Sequence, residues 1–121
     1  MILLVEDDPA SGRAMALALK TAGHEVMNAN NGAEALEMLA VRDFKLVITD
    51  LVMPNLNGLN LINAIRVKRP KLPLILISGY LPKDAGKAII DETAAFLQKP
   101  VNPTALVMAV ERVLSKSKSS E

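Results

Sequence analysis

Five polar side chains stand where apolar runs stop. Glu6 and Asp7 follow "ILLV", Asp50 follows "LVIT", Ser78 follows "LILI", and Lys99 follows "AAFLQ". Three carboxylates brought to one place would raise one another's pKa values unless positive charge sat among them. No cysteine is available and His24 is the only histidine, so an oxygen-only cluster would suit a hard cation such as Mg2+ (or Mn2+). Lys99 would add a fixed positive charge opposite. A carboxylate in such a setting is able to attack a phosphoryl group, because cation and lysine offset the charge that accumulates during transfer.

That chemistry requires the four runs to end at one edge of one sheet, and the hydrophobic period predicts that they do. Ile2 to Val5 reads as a strand buried on both faces. Asp8 followed by Pro9 predicts a helix start, Ala14, Leu17, Ala18 and Leu19 supply its apolar stripe, and Gly23 closes it. "HEVMNA" is a weaker strand, with His24 expected to face solvent and to have no role. Asn31 with Glu34 resembles a capping box, before a helix carried by Ala35, Leu36, Met38 and Leu39. Phe44 to Thr49 is a strong strand, and Gly58 to Arg69 a helix ended by Pro70. Leu72 to Ile77 is a fourth strand, Pro82 to Thr93 a weak helix interrupted by Gly86, and "AAFLQ" a fifth strand. Asn102 and Pro103 open a closing helix through Leu106, Val107, Val110, Val113 and Leu114. Residues 1–115 therefore form one domain and 116–121 a flexible polar tail. Met15, Met27, Met38, Met53 and Met108 read as core or loop filler.

Strands alternating with helices and no internal repeat predict an α/β fold, a parallel sheet covered on both faces. Ligands of such sheets collect outside the carboxyl ends of the strands, where the winding reverses. At 121 residues the chain can bury roughly two-thirds of its unfolded surface in one core. A net charge of +1 gives no electrostatic ground for a nucleic-acid or membrane partner. "MILLV" runs directly into acids, unlike a signal peptide or a spanning helix, so a cytoplasmic location is expected.

Four separated motifs carry a resemblance: "LLVEDD", "ITDLVMPNLNG", "LILISG" and "FLQKP". In this order they resemble the receiver domain of bacterial two-component response regulators over nearly the whole chain. The resemblance implies a flavodoxin-like, doubly wound five-stranded parallel sheet of order 2-1-3-4-5 with five helices. It further implies that Asp50 accepts a phosphoryl group from a phosphohistidine of a sensor histidine kinase or its phosphotransfer domain. By the same likeness Asp7 ligates Mg2+ directly, Glu6 holds it largely through water, and the Val52 backbone carbonyl is a further ligand. Lys99 contacts the phosphoryl group or Asp50, Ser78 donates to a phosphoryl oxygen, and Pro100 stands at a cis-proline position. Such a domain catalyses its own phosphorylation rather than turning over a substrate.

Two positions depart from the family's usual pattern. Phe96 stands where a switch residue is often Tyr, and it lacks the hydroxyl. Val52 and Tyr80 occupy the two positions that tune phosphoryl lifetime; neither is an acid or amide, so slow self-dephosphorylation is expected. Phosphorylation is expected to switch the surface around the 82–93 helix, the fifth strand and the closing helix, with output through a downstream protein. "LISGY" is similar to receivers of hybrid histidine kinases. Two other readings stand beside this one: a degenerate receiver serving as an interaction module, and a small aspartate-nucleophile phosphatase, which would usually carry a second Asp where Val52 stands.

Overall fold

The computed structural model describes residues 1–50, 58–79 and 95–119. Its elements in chain order are β1 (Ile2–Val5), α1 (Pro9–Thr21), β2 (Val26–Ala29), α2 (Gly32–Val41), β3 (Leu46–Asp50), α3 (Gly58–Lys68), β4 (Leu74–Ser78), β5 (Ala95–Gln98) and α4 (Pro103–Ser119). All strand pairs are parallel, in the order β2-β1-β3-β4-β5. The expected sheet is therefore borne out, with four helices among the described residues; the helix expected over 82–93 lies outside them.

The unbroken apolar runs have a simple cause. Side chains alternate between the faces of a strand, and both faces here are covered. Leu3, Val5, Val47 and Leu76 pack on one side with Ala35 and Leu39 of α2 and Leu61, Ile62 and Ile65 of α3. Ile2, Leu4, Ile48, Ile75 and Ile77 pack on the other with Met15 and Leu19 of α1 and Leu106, Val110 and Val113 of α4. Each central strand thus needs apolar residues at both parities. The edge strands β2 and β5 are only partly buried, which is why their patterns read more weakly.

Helix ends are fixed by the side chains the sequence marks. Asp8 Oδ2 accepts from the Ser11 N–H at 3.3 Å and its hydroxyl at 2.6 Å, with Pro9 at the first helical position. Asn31 Oδ1 accepts from the Glu34 N–H at 2.8 Å, and Asn102 Oδ1 from Thr104 and Ala105 at 2.8 and 3.2 Å. Helix α1 ends in a Schellman motif: Gly23 N–H donates to Lys20 O and His24 N–H to Leu19 O, each at 3.0 Å.

Three local expectations are corrected. The buried stripe of α1 is Gly12, Met15, Ala16 and Leu19, whereas Ala14 and Leu17 are exposed; several apolar faces were available on this helix and the sheet selects one. His24 is not solvent-facing. Its side chain is 14% exposed, Nε2 has no hydrogen-bond partner among the described residues, and Glu111 Oε1 of α4 lies 3.8 Å away. Met108 is exposed rather than core. Helix α4 also runs through Ser119, beyond the apolar stripe that ends at Leu114.

Gly23 holds φ at +99°, and a Cβ placed there would meet no atom within 4 Å. Substitution therefore tests backbone strain without a clash. Gly23→Ala is expected to lower stability by about 1 kcal/mol, read as a lower urea midpoint at unchanged m-value.

Candidate functional site

The register brings the strand ends level. Val5 pairs with Thr49, so Glu6, just past β1, and Asp50, the last residue of β3, follow side by side. The sheet order reverses between these two strands, the place where ligands of doubly wound sheets gather. Glu6 N–H donates to Ala29 O at 3.1 Å, which keeps the residue in line with the sheet beyond β1. Asp50 pairs with Ile77 on β4, and Ser78 lies one residue further. Ser78 in turn pairs with Gln98, and the next residue, Lys99, donates its backbone N–H to Ser78 O at 3.0 Å.

From β5 the Lys99 side chain reaches across the end of β4 to both acids. Its Nζ lies 2.7 Å from Glu6 Oε1 and 2.5 Å from Asp50 Oδ2. Glu6, Asp50 and Ser78 are buried, while Asp7 is exposed. Carboxylate oxygens of Glu6, Asp7 and Asp50 all lie within 4.8 Å of one another, a donor set suited to a hard cation. The exposed Asp7 leaves that cluster open to water on one side.

The electrostatics show an excess of negative charge. Burial raises the Glu6 pKa above its usual value and neighbouring Asp50 adds to this, against the opposing pull of Lys99. Burial alone would lower the Lys99 pKa, but its hydrogen bonds and attraction to Asp50 and Glu6 outweigh that and raise it. Beside the cluster, the Ser11 hydroxyl and N–H lower the Asp8 pKa, consistent with its work as a helix cap.

The structure thus brings together Glu6, Asp7, Asp50 and Lys99, and puts Ser78 at the same edge. Phe96 is separate from the carboxylates. It is half-buried on β5, against the core shared with α2 and α3. Val52 and Tyr80 lie outside the described residues. The Lys99–Pro100 peptide bond is cis, as the resemblance implied.

Two residues around the site had been given no role from the sequence. Thr49 is fully buried, and its hydroxyl donates to the Asp50 carbonyl at 3.0 Å. Gly12 lets α1 lie close under Glu6: a Cβ there would stand 3.2 Å from Asn28 Nδ2 and 3.8 Å from Glu6 Cβ. Asn28 Nδ2 also donates to Gly12 O at 3.3 Å. A glycine inside a helix, costly by about 1 kcal/mol relative to alanine, was the available signal for this close approach.

Fold and site define an α/β domain with a lysine-bound acidic cluster at the carboxyl edge of a doubly wound sheet. Residues 2–111 match the family model described as the response regulator receiver domain, and the chain belongs to that family. It is 36% identical over 118 residues to the Escherichia coli transcriptional regulatory protein GlrR, covering 96% of this chain and 26% of the relative. It is 35% identical to the Brucella abortus response regulator receiver protein CpdR, covering 93% of this chain and 95% of the relative. A CheY-like receiver domain protein from Methanospirillum hungatei superposes with a TM-score of 0.94 at 26% identity, covering 99% and 97% of the two chains. The chain spans about a quarter of GlrR but nearly all of CpdR.

The raised Glu6 pKa sets the sign of a pH effect. Above 4.5 the folded state retains a proton that the unfolded state releases, so this group's contribution to stability falls as pH rises through that window. Without divalent cations, Glu6→Gln is expected to unfold at higher urea than the wild type at neutral pH. The difference should shrink towards pH 4.5, as urea titrations at stepped pH would show.

Proposed function

We propose that this receiver domain is phosphorylated on Asp50 in a Mg2+-dependent reaction, with a phosphohistidine of a sensor kinase or phosphotransfer domain as donor. The observation that carries this reading is the buried Asp50 carboxylate, held by Lys99 at 2.5 Å within the three-acid cluster. An Asp50 oxygen forms the bond to phosphorus as the bond from phosphorus to the donor imidazole breaks. Lys99 stays within reach of Asp50 and Glu6 and offsets charge on the transferring group.

Glu6, Asp7 and Asp50 fit a divalent ion by donor type, with the Val52 carbonyl as a further ligand. Such an ion supplies charge neutralisation to the phosphoryl oxygens. Ser78, at the edge beside Asp50, donates its hydroxyl to the new group. Phosphorylation adds a charge of about −1.5 to −2, which Ser78 and Lys99 bind. The resulting pull on the end of β4 is passed to Phe96 on β5, so the surface near β5 and α4 changes population and a downstream protein reads it. The region acting this way is residues 1–115.

Intact mass after incubation with acetyl phosphate tests the reading directly. A single Mg2+-dependent phosphoryl adduct is expected on the wild type and none on Asp50→Asn. No adduct on the wild type, under conditions that modify another receiver, would overturn it. Once formed, the adduct should decay slowly and with first-order kinetics in Mg2+ without a phosphatase, because Val52 and Tyr80 offer no acid or amide to position attacking water.

A further inference from the structure

The edge of the sheet opposite the acidic cluster carries a different concentration of charge. Residues 42–45 and 66–71 contain six Lys and Arg against one acid, in a chain of net charge +1. The two segments meet in space. They lead into the adjacent strands β3 and β4, and Val47 N–H donates to Pro73 O at 3.1 Å. Arg69 joins them by pairing with Asp43 at 3.0 Å and donating to Leu39 O of α2 at 3.0 Å. Arg66 is turned to Leu72 O at 2.6 Å.

Those bonds engage the sole acid and two of the cations and leave the others outward. Arg42, Lys45, Lys68 and Lys71 are exposed and form no ion pair among the described residues. Next to Arg42 and Lys68 in the chain, at the last turns of α2 and α3, Val41 and Val67 are each 84% exposed. A single exposed valine needs no explanation, but two at a junction fixed by Arg69, among unpaired cations, form a mixed surface.

We propose that this surface docks an acidic protein segment in which carboxylates are interspersed with apolar residues. Charge complementarity requires an anionic occupant. A nucleic-acid backbone would meet the cations but leave the valines against phosphates. A membrane-surface element presents Trp, Phe or Leu on its apolar face, and here that face has only two valines. An acidic segment with leucine-like side chains satisfies both features at once. The surface is distinct from the Asp50 site, and the inference does not depend on phosphorylation.

Backbone-amide NMR of the chain at low salt, titrated with a short synthetic peptide of glutamate interspersed with leucine, tests this. Shifts should cluster at Val41, Arg42, Lys45, Val67, Lys68 and Lys71. Lys68→Glu combined with Lys71→Glu should weaken binding about tenfold, with thermal unfolding recorded to confirm the fold. Val41→Ser with Val67→Ser should weaken binding of this peptide but not of one carrying serine for leucine. No shifts, shifts centred elsewhere, or equal binding of the serine peptide, a short DNA duplex or phosphatidylserine vesicles would overturn the proposal; the wild-type titration decides even if a variant fails to fold.

Discussion

Lys99 Nζ bonds Glu6 and Asp50 at 2.7 and 2.5 Å and is a countercharge shared by two buried carboxylates that lie side by side. Burying a lone charge costs far more than a folded domain has to spare, so acids at this position require a cation. The lysine comes from β5, two strands away from Asp50, and can arrive only if β4 ends level with β3. The parallel register therefore does more than pack the core. It sets the length of the lysine's reach, and the backbone bond from Lys99 N–H to Ser78 O at 3.0 Å anchors the base of that reach.

The site was legible because Glu6, Asp50 and Ser78 sit where doubly buried strands stop, and Lys99 follows directly on the edge strand β5. Ile2 to Val5 and Leu46 to Ile48 are wholly apolar, and only the buried Thr49 comes before Asp50, so the ends of the runs locate the edge. Parallel topology then places all ends together. Less was legible where burial is partial or where several solutions exist. The α1 stripe could be drawn through Ala14 and Leu17 or through Gly12, Met15 and Leu19, and only contact with the sheet chooses the second. His24 looked like a surface residue because the pattern contains nothing of α4, whose Glu111 stands 3.8 Å away. The close approach of Gly12 to Glu6 and to Asn28 is a contact across elements, invisible to any local period.

The chain's small net charge hides a polar arrangement of charge. Among the described residues Glu6, Asp7 and Asp50 gather at the carboxyl edge, while Arg42, Lys45, Lys68 and Lys71 lie toward the amino edge, separated by the length of the strands. A five-residue strand such as β3 spans roughly 16 Å, about twice the screening length of roughly 8 Å at physiological salt. The two edges therefore act on approaching molecules almost independently. A sum of +1 excludes a uniformly basic surface but says nothing about a divided one.

At the carboxyl edge the same imbalance gives the proposed chemistry its direction. Among the described residues three acids against one lysine leave the cluster formally negative; burial first and Asp50 second raise the Glu6 pKa, and hydrogen bonds and attraction to both acids raise that of Lys99 against the effect of burial. A phosphoryl group is itself anionic, so a cluster in this state repels the group it is proposed to accept. Added positive charge would remove the repulsion without moving Asp50, which β3 already fixes in place. On the proposed reading the protein therefore supplies rigidity and one permanent cation, and leaves the rest of the neutralisation to an exchangeable one. Transfer would then be gated by cation occupancy rather than by rearrangement of the strand that carries the nucleophile.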